Sequence, residues 1–160
     1  MRDCIDRRGF RKNVCIVLRN NELKVLIGRR INDQGWQFPQ GGVHSGETYK
    51  EAMYRELYEE IGLTKDDVKI IASSSRLFFY KLPKDLINYR KKPLCLGQKQ
   101  KWYLLELSNQ KATPDLAIAD VPEFDRYEWI DYWEPANRVI SFKQNVYKHA
   151  LKHLNRISSH

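Results

Sequence analysis

Glu47, Glu56, Glu59 and Glu60, with Arg55 among them, are the side chains of this sequence best suited to chemistry, and one stretch, GGVHSGETYKEAMYRELYEEIGL from Gly41 to Leu63, holds them all. Thr48 and Glu51 stand in the capping-box relation, so the spacing predicts a helix beginning at Thr48, with Gly62 just past its end. Counting about 100° per residue from Ala52 puts Glu59 at about −20°, Glu56 at about 40° and Glu60 at about 80°. Met53, Tyr54, Leu57 and Ile61 fall between about 100° and 200°, on a side suited to a core. Carboxylates crowded on one face repel one another and raise one another's pKa. Hard divalent cations take oxygen ligands and would relieve that repulsion. The alternative is a solvated acidic face, but such a face is ordinarily interspersed with lysines, and this one has only Arg55 at its border. Arg55 lies four residues before Glu59, the spacing at which it would orient that carboxylate.

The rest of the chain must position this helix. With 160 residues, the length suits one domain spanning 1–160, large enough for a core without staples. Hydrophobic residues make up 42% and charged ones 30%, which argues against a disordered chain. Val14 to Leu18 and Lys24 to Gly28 read as a strand and its return across Asn20-Asn21. Asn32 to Gly35 reads as a loop, and Trp36 to Gln40 leads into the glycines, with Pro39 at a strand end. Beyond the helix, 68–72, 75–82, 98–107 and 127–130 read as strands, with Trp102 and Leu104 on one face by alternation. A final helix is predicted from Ser141 to Leu154, where Phe142, Val146, Ala150 and Leu154 recur every four residues. Strands between helical layers are expected.

Cys4, Cys15 and Cys95 have no CxxC spacing and read as free thiols in a reducing compartment. His149 and His153 lack a third ligand motif and read as solvent-facing rather than as a zinc pair. No apolar run approaches the ~18 residues of a membrane span, and the N-terminal residues lack the apolar segment of a signal peptide. A cytoplasmic protein is expected. The net charge of +8 suits a polyanionic partner, nucleic acid being the commonest. The basic residues between Lys81 and Lys92, interleaved with Tyr80 and Tyr89, suit phosphate and base contacts, with a flexible solvated loop as the alternative.

The pattern of Gly41, Glu47, Arg55-Glu56-Leu57, Glu59-Glu60 and Gly62-Leu63, at fixed spacings over the stretch, resembles the Nudix box at every defined position. The resemblance implies an α/β/α sandwich with a mixed β-sheet, and a hydrolase that cleaves a pyrophosphate linkage using Mg²⁺ or Mn²⁺. Gly41, Gly42, Glu47 and Gly62 would be the structural positions of the box. Further motifs, WQFPQGG, AMYREL, YKLPK, GQKQKW, PEFD and SFK, are similar to the branch of the family made up of bacterial RNA pyrophosphohydrolases, related to the diadenosine polyphosphate hydrolases.

Carried over residue by residue, the resemblance implies Glu56, Glu59 and Glu60 as metal ligands, with Glu123 a further acidic group near the metal. Glu56, Arg55 and Glu123 would form the catalytic set, Glu56 as the base that activates water. Arg11, Arg30, Tyr80 and Lys143 would face the 5′-terminal phosphates, and Phe142 would stack on a base. For Phe142 the alternative is core packing, and for Lys143 a solvated side chain. The expected substrate is 5′-tri- or diphosphorylated RNA, converted to a 5′-monophosphate end that promotes mRNA decay. The alternatives are hydrolysis of dinucleoside polyphosphates and a non-catalytic RNA- or nucleotide-binding module. The latter should have lost some of the box glutamates, and all three are present.

Overall fold

β1 (Phe10–Arg19) is apolar on both faces over its second half, which is the signature of a strand covered on both sides, and it lies in the middle of the sheet. The structure, a computed structural model, describes residues 3–32 and 35–159, so Arg2 of the basic N-terminal segment and Asp33 and Gln34 of the expected loop lie outside the described residues. The other elements are β2 (Val25–Arg30), β3 (Trp36–Gln37), β4 (Gln40–Gly42), α1 (Tyr49–Ile61), β5 (Val68–Ser73), β6 (Phe78–Lys81), β7 (Gly97–Leu107), β8 (Phe124–Ile130), α2 (Pro135–Arg138) and α3 (Gln144–Ser158). The strands run in the order β3-β2-β1-β7-β5, with β4 added to β1, β6 to β7 and β8 to β2. β1 and β7 pair in parallel from Phe10/Gly97 to Arg19/Glu106, and the other pairings are antiparallel. The sheet is therefore mixed, as expected.

Alternation along β1 feeds two cores. Val14, Ile16 and Leu18 pack with Leu26, Tyr103 and Leu105 beneath Ala52, Met53, Leu57 and Ile61 of α1. Cys15 and Val17 pack with Ile27, Phe38, Trp102 and Leu104 beneath Val146, Tyr147, Ala150, Leu151 and Leu154 of α3. Trp102 and Leu104 do share that face. The result is helix, sheet, helix, the expected α/β/α sandwich.

Several boundaries differ from the expected ones: β1 already begins at Phe10, where its pairing with Gly97 of β7 starts, and four others have a local reason. β2 runs on to Arg30, and β8 begins at Phe124, because the two strands stay paired to Arg30/Phe124 across an irregularity at Arg29/Arg30. Segment 75–82 is a strand only over Phe78–Lys81. Ser74 binds Trp102 through its backbone and hydroxyl, and the Ser75 N–H turns to His153 on α3. Residues 141–143 form a separate 3₁₀ turn ahead of α3, which starts at Gln144 and continues to Ser158.

Candidate functional site

The site lies where the sheet opens. β1 and β2 share a registered pair at Arg19/Val25; elsewhere β1 binds β4, and β2 binds β3 and β8. α1 is laid beside this opening by the box glycines. Its N-terminus has the expected capping box: Thr48 Oγ1 accepts from the Glu51 N–H at 3.0 Å, and Glu51 Oε1 accepts from the Thr48 N–H at 2.9 Å. Gly62 ends it at φ 69°, left-handed backbone that glycine adopts freely.

Gly41 and Gly42 are demanded by close approach. A Cβ on Gly41 would lie 2.1 Å from the Glu56 carboxyl carbon, and one on Gly42 would lie 2.1 Å from an Arg11 guanidinium nitrogen. A strand edge without side chains thus lets a carboxylate from α1 and a cation from β1 touch the backbone directly.

Arg55 is the hub. Its Nε donates to Glu47 Oε2 at 2.7 Å, and its Nη2 to Glu47 Oε1 at 2.9 Å and to the Gly42 carbonyl at 2.7 Å. Nη1 donates to Glu56 Oε1 at 2.8 Å and, more weakly, to Glu59 at 3.3 Å. The expected contact with Glu59 is present, and the structure adds shorter ones, because the bidentate fork fits Glu47 and Nη1 lies nearer to Glu56. Those bonds hold the Glu47 carboxyl below the usual range. Arg55 thereby orients Glu56.

Glu56, Glu59 and Glu60 differ in exposure. Glu56 and Glu60 are buried, and Glu59, with its side chain about half exposed, stands outside. Burial first, and then the neighbouring carboxylate, pushes the Glu60 carboxyl well up; burial also raises that of Glu56. Glu60 is 7% exposed, and its Oε2 has no hydrogen-bond partner among the described residues. An orphaned buried carboxylate oxygen beside a second buried carboxylate is costly unless a cation takes it, so these donors fit a hard divalent ion. Two of the four expected carboxylates, Glu56 and Glu60, are buried side by side, and the charge of Glu59 reaches Glu56. Glu123 is near enough to raise the Glu60 carboxyl further, but its Oε1 accepts from Arg30 Nε at 3.0 Å.

The predicted substrate-facing residues surround this pair. Lys143 is 4% exposed, and its Nζ donates to Gln37 Oε1 at 2.9 Å. It also lies 5.6 Å from the Tyr80 ring and 5.8 Å from that of Phe142. It is not a solvated lysine. Burial, with Arg30 nearby, pulls its pKa down to about 8. Tyr80 and Phe142 meet at 5.8 Å with a 47° tilt, and Phe142, half-buried in the 3₁₀ turn, touches the core without being part of its buried cluster. Burial raises the Tyr80 hydroxyl, while the charges of Arg11 and Arg30 oppose the rise, so both guanidinium groups act at the same spot. Arg11 also stands 3.4 Å from Asp3. A 3₁₀ turn at Lys84–Leu86 interrupts the basic segment after Lys81, and Lys91 of that segment stands 3.9 Å from the same Asp3.

Sequence reasoning missed three contributors. Gln37 holds Lys143, and Gln40 acts on both the Glu60 carboxyl, through its backbone, and the Tyr80 hydroxyl, through its side chain, opposing the rise that burial causes in each. Cys15 lies buried beneath the site, its thiol pushed well up by burial. The signal for the glutamines was available: two amides at strand positions flanking Phe38-Pro39, on a segment otherwise fit for a core.

A NUDIX domain matches residues 9–150, nearly the whole chain. The chain belongs to the Nudix family. Among similar proteins, an RNA pyrophosphohydrolase of Photobacterium profundum is 50% identical over 154 residues, covering 96% of this chain and 88% of that one. An RNA pyrophosphohydrolase of Vibrio atlanticus is 51% identical over 148 residues, covering 92% and 86%. The Escherichia coli dihydroneopterin triphosphate pyrophosphohydrolase superposes with a TM-score of 0.69 at 20% identity, over 88% of this chain and 94% of that one. A Caenorhabditis elegans Ap4A hydrolase does so at 0.64 and 18%, over 91% and 98%. At these identities the two structures speak for the shared Nudix fold alone. Nudix hydrolases are generally dependent on a divalent metal, in keeping with the buried carboxylate pair.

Proposed function

We propose that this Nudix protein, a single domain over 1–160, is an RNA 5′-pyrophosphohydrolase that converts 5′-tri- or diphosphorylated ends to 5′-monophosphates and so commits transcripts to decay. The observation that carries this reading is the buried Glu56–Glu60 pair, with its orphaned oxygen, set against the cations Arg11, Arg30 and Lys143. Two relatives at about half identity carry the name RNA pyrophosphohydrolase. The three free thiols suit the reducing cytoplasm, where transcripts are made.

Glu56 and Glu60 would hold the Mg²⁺ or Mn²⁺ ion, with Glu59 and Glu123 at the rim. Bound there, the ion neutralises the carboxylates, polarises phosphate oxygens and makes water a better nucleophile. Glu56, fixed by Arg55 at 2.8 Å, accepts the proton of the attacking water at its carboxylate. The water oxygen bonds to phosphorus as the anhydride P–O bond breaks, and the leaving pyrophosphate or phosphate departs with the electron pair. Arg11, Arg30 and Lys143 offset the remaining phosphate charge. Tyr80 positions Lys143, and Phe142 offers a ring to the first base. Stacking of that kind tolerates any sequence.

Turnover of a 5′-triphosphorylated RNA should exceed that of diadenosine polyphosphates, the alternative substrate class. RNA turnover far below that of the dinucleotide would overturn the substrate assignment. Glu56→Gln should abolish phosphate release; unchanged release would remove Glu56 from the role of base and leave a binding module as the better reading.

A further inference from the structure

Away from the reaction centre, α3 and the segment between β5 and β6 enclose a cavity of about 450 Å³ lined by Arg76, Trp133, Lys152, His153 and Arg156, with no carboxylate among its lining residues. An adjoining cavity of about 500 Å³ shares Trp133 and Lys152 and adds Lys148. Among the described residues, none of Arg76, Lys148, Lys152 and Arg156 pairs with a carboxylate.

His153 makes this more than a basic surface. It is 6% exposed, and its Nε2 accepts the Ser75 backbone N–H at 3.1 Å. The neutral ring must then carry its proton on Nδ1. That Nδ1–H faces Arg156 Nη2 at 3.2 Å, donor against donor. Burial and the nearby guanidinium groups keep the ring neutral, lowering its pKa. Two donors converging on one cavity without an acceptor between them fit an anion's oxygen, and Arg76 and Lys152 add charge to the same space. Beside them Trp133, 46% exposed, is braced edge-on by Tyr132 at 4.7 Å. A phosphate subsite with a braced, open indole next to it is the combination that grips single-stranded nucleic acid.

We infer that this groove is a second RNA-binding site, in which His153 Nδ1, Arg156 and Arg76 hold a backbone phosphate and Trp133 stacks on an adjacent base. The inference rests on RNA being the substrate and extends the grip beyond its 5′ end. Lys152, His153 and Arg156 follow Lys143 by nine to thirteen residues, about 14–20 Å along a helix. That is the length of roughly four to six nucleotides at ~3.4 Å per stacked phosphate.

The test is anisotropy titration of the full chain, without added divalent metal, using a 3′-labelled 12-nucleotide oligouridine with a 5′-hydroxyl end. Such an RNA lacks the phosphates read by the reaction centre. Trp133→Ala should weaken binding about 5- to 150-fold. Arg156→Ala should weaken it and reduce the salt slope by about 0.7 for each phosphate no longer neutralised. Turnover of a 5′-triphosphorylated dinucleotide, too short to reach the groove, should stay within twofold in both variants. Wild-type affinity for the 12-mer in both variants overturns the inference. So does inorganic phosphate occupying the groove equally in wild type and Trp133→Ala while the 12-mer is indifferent to it, which would make this a free-anion site. Wild-type protein that fails on every 5′-triphosphorylated RNA, yet binds the 12-mer through Trp133, would overturn the proposed function and leave the groove standing.

Discussion

Gly41→Ala isolates the position of Glu56 from its chemistry. The new methyl carbon would stand 2.1 Å from the Glu56 carboxyl carbon, where real contacts almost never fall below 3.0 Å. The carboxyl group must therefore retreat by about 0.9 Å. It is held by Arg55, which is itself clamped by Glu47 and the Gly42 carbonyl. The displacement cannot dissipate in a free side chain. Misplacing a reacting group by about 1 Å costs roughly 10²-fold in rate, and overpacking of this kind costs ~1–3 kcal/mol of stability. Steady-state release of pyrophosphate from a 5′-triphosphorylated RNA should show kcat lowered about 10²-fold, with a modestly reduced melting temperature and unchanged far-UV circular dichroism. Gly42→Ala gives the contrast, because the atom it meets is the far end of the flexible Arg11 side chain; its effect should fall on KM. Wild-type kcat in a folded Gly41→Ala protein would refute the claim that the bare edge of β4 sets the position of Glu56.

Lys143→Met removes a buried cation at nearly constant volume, so KM for RNA should rise about 10-fold or more, the worth of a charged hydrogen bond, while the melting temperature holds. In wild type, Lys143 is charged below its pKa of about 8, so substrate affinity should decline as pH rises through 8, and KM measured against pH should lose that limb in Lys143→Met. Glu60→Gln should lower kcat at least 10³-fold, yet melt no lower than wild type in chelator, since it removes a buried ionisable group whose neighbour already opposes its charge. Thr48→Ala should cost about 1 kcal/mol in urea unfolding by breaking the capping box, with kcat little changed.

Local signals decided a good deal of this molecule. The capping box, the terminal glycine and the apolar stripe of α1 are short-range properties, each readable from a few neighbouring residues, and so were the alternating strands and the family pattern. What failed to read out were relations between distant segments. Glu56, Glu59 and Glu60 share a face on a helical wheel, but only the packing of α1 across the split between β1 and β2 buries the first and third and leaves the second outside. Arg55 does meet Glu59, four residues on, but its shorter bonds go to Glu47 and Gly42, because the fold brings a better-matched carboxylate and carbonyl to it. Lys143 looked able to face water until Gln37, 106 positions away in the chain, gave it a partner inside. The sequence by itself determined the elements, the family and the kinds of groups at the site. The tertiary structure decided which carboxylates lose their water, and that desolvation makes an acidic helix a place for a metal and a phosphate.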